Sequence, residues 1–141
     1  MLTTSQLELR NLSRGKHSNC VATSLTFATG SSYWDVDNFL QAHYPRYKPQ
    51  NKTSDGIPAF ELLASNPALF GCRFTRVVRP NLLDRWISLY SFIRDNLSGT
   101  FFVCKPRHAF VVKDGDVYDL NEVDYSSPVD GAWRVEPIIG K

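Results

Sequence analysis

Cys20 follows the polar string His17-Ser18-Asn19 and opens the run Val21-Ala22-Thr23-Ser24-Leu25, whose apolar positions have helical spacing. A thiol in the first turn of a helix meets unpaired backbone N–H groups and the positive end of the helix dipole. Both favour thiolate over thiol and offer a backbone site for an oxyanion. His108 precedes the apolar run Ala109 to Val112 and supplies the base that a cysteine nucleophile needs. Asp114-Gly115, a strong two-residue hairpin turn, follows that run. Counting back from the turn pairs Lys113 with Asp116, sets Phe110 opposite Asp119 and sets His108 opposite Asn121. Residues two apart share a strand face, so His108, Asp119 and Asn121 point to one side. Either Asp119 or Asn121 can hold the imidazole in the tautomer needed for proton transfer.

The elements that carry these residues are readable in outline. Ser18 or Asn19 caps a first helix that stops at Thr29-Gly30. Ser32 and Asp35 make a capping box for a second helix, with Tyr33, Val36, Phe39, Leu40 and Tyr44 apolar and Pro45 ending it. The polar stretch from Pro45 to Ser54 reads as a surface loop, and Asp55 caps a third helix that closes at Asn66-Pro67. Cys72 to Val78 alternates like a strand, and Asn81 caps a helical region over Leu82 to Asn96, broken near Ser88. Strands follow at Thr100 to Cys104, Ala109 to Val112 and Val117 to Leu120, while neither Pro45 to Ser54 nor Asp124 to Trp133 carries a readable substrate-pocket pattern. Helices first and strands later predict an α+β fold, its C-terminal antiparallel sheet packed against the first helix.

Composition narrows the class. With 141 residues and 43% hydrophobic content, the chain predicts one domain over residues 1–141. The net charge of +2 comes from scattered basic residues, so no nucleic-acid partner is expected. Three cysteines, Cys20, Cys72 and Cys104, form no CxxC and no even set, which fits reduced thiols in a cytoplasm. The start, Met1 to Arg14, lacks the apolar centre of a signal peptide, and no segment has the apolar length of a membrane span.

Asn19-Cys20-Val21-Ala22 with the helix stop Ala28-Thr29-Gly30, then His108-Ala109-Phe110-Val111-Val112 leading through Asp114-Gly115 to Tyr118-Asp119, resembles the papain-like cysteine peptidase superfamily. Within it, the chain is similar to small phage-encoded members. The resemblance covers most of the chain in element order and implies an N-terminal nucleophile helix and helical half on a C-terminal antiparallel sheet. It implies Cys20 as nucleophile, His108 as general base and then acid, and Asp119 as the residue orienting His108, with Asn121 in reserve. It implies a protein or peptide substrate, a host protein in the host cytoplasm if the source is a phage or virus, and no cofactor. Papain's oxyanion-hole Gln, six residues before its Cys, corresponds here to Arg14, leaving Asn19, Asn11 or Gln6 to replace it.

Three other readings compete. His17-x-x-Cys20 with Cys104-x-x-x-His108 offers two Cys and two His, a normal zinc set, although paired knuckles are missing. A second keeps the papain-like fold without catalysis, as a binding module that blocks a host protein, its 13% aromatic content supplying surface. A third is a viral leader peptidase whose tail, Glu136 to Lys141, fills its own cleft; a loose surface tail is the simpler expectation.

Overall fold

The computed structural model describes residues 20–43, 62–63, 66, 68–78, 87–105, 108–119 and 123–138. Helix α1 (Cys20–Thr29) is followed by α2 (Tyr33–His43). Gly30 ends α1 at φ 75°, its N–H bonded to Thr26 O at 3.0 Å, the left-handed stop that glycine makes without a Cβ clash. Ser32 starts α2 by accepting from Asp35 N at 3.1 Å. Of the third expected helix, Leu62 and Leu63 are helical and buried, and Asn66 N bonds Leu62 O; its Asp55 cap lies outside the described residues.

The strands are β1 (Ala68–Leu69), β2 (Cys72–Val78), β3 (Ile87–Ser88), β4 (Thr100–Lys105), β5 (His108–Lys113), β6 (Asp116–Tyr118), β7 (Pro128–Val129) and β8 (Gly131–Pro137), with α3 (Leu89–Asp95) after β3. A six-stranded antiparallel sheet runs β1-β2-β8-β4-β5-β6, and β3 pairs with β7 separately. The fold is therefore mixed α+β. Asp114 and Gly115 both have positive φ, 50° and 84°, as the two-residue turn requires.

The break expected near Ser88 is present: Ile87 and Ser88 form β3, and the Ser88 hydroxyl caps α3 by accepting from Ser91 N. Residues 82–86, the first part of the expected helical region, lie outside the described set. After Leu120, where the sequence pattern assigns no element, the structure has β7 and β8. The latter sits between β2 and β4 and is buried on both faces over Gly131–Trp133, so no alternation marks it. Nor is the tail loose from Glu136: Arg73 pairs with Glu136, and Ile138 N bonds Gly71 O at 2.9 Å.

Both faces of the sheet are covered. On one, Val21, Ala22 and Leu25 of α1 and Val36 and Leu40 of α2 join Phe74, Phe102, Cys104, Ala109 and Trp133. On the other, Leu89 and Phe92 of α3 join Phe101, Val103, Phe110, Val112 and Ala132. Successive residues of β4 and β5 thus feed opposite cores, which is why these strands read as continuous apolar runs. Among the described residues no helix is long and apolar enough to cross a membrane.

Candidate functional site

His108 is the first residue of β5 and Asp119 the first beyond β6. The pairs Lys113↔Asp116, Val112↔Val117 and Val111↔Tyr118 follow the register counted from the turn. The ladder ends at Tyr118, yet Asp119 still meets His108: Nε2 lies 2.8 Å from both Oδ1 and Oδ2. Asp119 is 4% exposed and the His108 side chain 17%, so one edge of the ring faces solvent while the carboxylate does not. The carboxylate therefore takes the Nε2 side of the ring, which makes Nδ1 the nitrogen for proton exchange with another group. Asn121, the other candidate for this role, lies outside the described residues.

The nucleophile candidate is described through its backbone. Residue 20 begins α1, with Asn19, Arg14, Asn11 and Gln6 outside the described residues. Two contacts orient the helix. Its C-terminal end touches Cys72, whose Sγ–H points to Thr29 O at 3.9 Å, and the Phe27 ring rests 4.4 Å from that of Tyr118. Cys72 pairs with Pro137, and Thr100 pairs with both Val135 and Lys113, so α1 ends at the Lys113 end of the sheet. Its start then lies toward the opposite end, where Lys105 pairs with His108. The lengths agree: Phe27 to Cys20 is about 10.5 Å of helix, and Val111 to His108 about 10 Å of strand.

Strand register sets a second condition. Ala109 belongs to the core beneath α1, whereas Phe110 belongs to the core beneath α3. His108 shares the parity of Phe110, on which its ring stacks at 5.8 Å and 26°. The histidine thus starts from the α3 side of the sheet, at its corner. The same register corrects the zinc reading. Cys104 pairs with Ala109 and lies in the α1 core, so Cys104 and His108 face opposite sides. His17, the other proposed ligand, is outside the described residues.

Sequence reasoning missed the groups around His108. Lys105 stands across from it, its Nζ 5.5 Å from the Phe110 ring centre and donating to Ser127 Oγ at 3.1 Å. The turn residues Pro106 and Arg107 stand between the two in the sequence, a signal that was available to find this pairing. Nearby, hydrogen bonds from the Ser126 hydroxyl and backbone hold the Asp124 carboxyl below its usual range. Burial pushes the Asp130 carboxyl up, and it pushes the Cys72 thiol up as well. Comparison with protein-family models, with curated proteins and with solved structures yields no match for this chain.

Proposed function

We propose that this chain is a cysteine-dependent hydrolase of papain-like type, with Cys20 as nucleophile, His108 as base and acid, and Asp119 orienting His108. The observation that carries it is the two-oxygen grip of Asp119 on His108 Nε2, at the end of the sheet toward which α1 begins. In this scheme His108 Nδ1 takes the Cys20 proton, and the thiolate attacks a peptide or amide carbonyl. The C–N bond breaks as His108 returns the proton to the leaving amine, leaving a thioester. Water then hydrolyses the thioester, releasing the acid and restoring the thiol. The backbone N–H at the start of α1 and the Asn19 side chain are the oxyanion donors, and the substrate is a protein or peptide, a host cytoplasmic protein if the source is a phage or virus.

A non-catalytic reading has its own support. His108 stacks on Phe110 and pairs with a buried carboxylate on the α3 side, as a structural histidine does. The protein would then act by occupying a partner. Labelling with a thiol-directed electrophile at mildly acidic pH separates the two. An activated Cys20 labels far faster than Cys72, whose thiol burial keeps protonated, and a His108→Ala variant loses that advantage. Equal rates for the cysteines leave the binding module.

A further inference from the structure

Lys105 is a charged group that the proposed chemistry does not use. It ends β4 directly opposite His108, half-buried and on the same face of the sheet: its Nζ lies 5.5 Å from the centre of the Phe110 ring, on which His108 stacks at 5.8 Å. Nζ donates to the Ser127 hydroxyl at 3.1 Å, and no carboxylate among the described residues stands within ion-pair distance of it. Asp124 feels the Lys105 charge, yet its Oδ1 accepts from the Ser126 backbone and hydroxyl at 3.0 and 2.6 Å and so stays within its own turn. Lys113, the other lysine of this hairpin, differs: it is exposed and pairs across the ladder with Asp116. An ammonium that has exchanged part of its water for a ring and a hydroxyl keeps further N–H donors and an unneutralised charge, and a carboxylate satisfies both.

The surroundings point the same way. Ser127 belongs to a turn gripped by the start of α3: Leu89 N donates to Ser127 O at 2.9 Å and Tyr90 N to Tyr125 O at 2.8 Å. Tyr90 and Tyr125 are 62% and 51% exposed. Tyrosines presented beside such a cation give a surface the composition of one that binds another chain. Directly opposed strand residues have Cβ atoms about 4.5–5.5 Å apart, and one residue of extended peptide spans about 3.3 Å. We infer that Lys105 receives a carboxylate of the substrate, lying within about two residues of the bond on which His108 acts. That carboxylate belongs to an acidic side chain or to the C-terminus of the peptide. This deepens the hydrolase reading by naming the class of peptide taken, and rests on that reading.

The test is retention of the full chain, carrying Cys20→Ala so that it binds without cleaving, on an array of immobilised hexapeptides. One arm compares internal Glu with Gln in peptides with amidated ends; the other compares free-acid with amidated ends in peptides without acidic residues. The expected result is about tenfold stronger retention on the carboxylate members of at least one arm, and the arm that shows it tells side chain from chain end. Lys105→Met, which keeps the alkyl stem over Phe110 and removes the charge, abolishes the preference. Lys105→Arg retains it, and Lys113→Met leaves it unchanged. Lys105→Gln repeats the measurement if the methionine disturbs folding. Retention that ignores the carboxylate in both arms, a preference that survives Lys105→Met and Lys105→Gln, or one lost equally in Lys113→Met overturns the inference. The proposed function fails separately, when parental Cys20 labels no faster than Cys72 or ignores His108→Ala.

Discussion

Asp119 has two oxygens within 2.8 Å of one ring nitrogen, and this sets what its loss does. Asp119→Ala strips a nearly buried imidazole of its charged partner, which costs about 1.5–3 kcal/mol of stability in urea unfolding. It also lets the ring turn, so Cys20 alkylation at mildly acidic pH slows by about tenfold or more. Retention of the parental rate in a folded variant would remove Asp119 from the site. Asp130 tests the opposite sign of carboxylate energetics. Burial raises its folded pKa, so the native state holds its proton more tightly than the unfolded chain. Ionisation then disfavours the fold: stability falls as pH rises from the unfolded carboxyl value through the folded one. Asp130→Asn should therefore raise the urea midpoint at neutral pH and lose that gain below the unfolded carboxyl range. A gain that persists in acid would mean that ionisation is not the cause.

At the scale of elements, α3 is seven residues long, too short to form without help from its ends and its packing. Ser88 accepts from Ser91 N at 3.1 Å, so Ser88→Ala should cost about 1 kcal/mol and Ser88→Gly only a few tenths, measured as shifts in urea midpoint. Equal losses would show that the cap contributes through something other than its hydroxyl. The same serine shows how far local sequence reaches. It was visible as a break because its chemistry is local, as was the Asp114-Gly115 turn, whose positive φ values only a few residue types accept. From that turn the register toward Asp119 followed by counting, and the His108 pair with it. What stayed hidden was β8. Arg134 and Glu136 interrupt its apolar residues, and its place between β2 and β4 depends on pairings with residues far away in the chain. Cys104 and His108 face opposite sides because β4 and β5 pair antiparallel, with Cys104 opposite Ala109 and Lys105 opposite His108.

The whole molecule is organised around one sheet shared by two apolar layers, and that sharing bears on both stability and the site. Phe102 and Trp133 serve the α1 side, while Phe101 and Val103, their neighbours on β4, serve the α3 side. A strand cannot leave one core without leaving the other, so both layers should melt together. Phe92 lies in the α3 layer, 1% exposed and 5.3 Å edge-on to Phe101. Phe92→Ala should cost about 3–5 kcal/mol. The loss should appear equally in far-ultraviolet circular dichroism and in tryptophan fluorescence, to which buried Trp133 reports from the opposite layer. Coupling of this kind would also reach the buried thiol of Cys104, because the α1 and α3 layers share the residues of β4 and β5 between them. In native conditions the Phe92→Ala variant should therefore expose buried Cys104 to alkylation in step with its lost stability. Two separated transitions, or a fluorescence midpoint that stays at the parental value, would instead divide the chain into layers that fold independently, and would detach the α3 side, with His108 on it, from the helix that begins at Cys20.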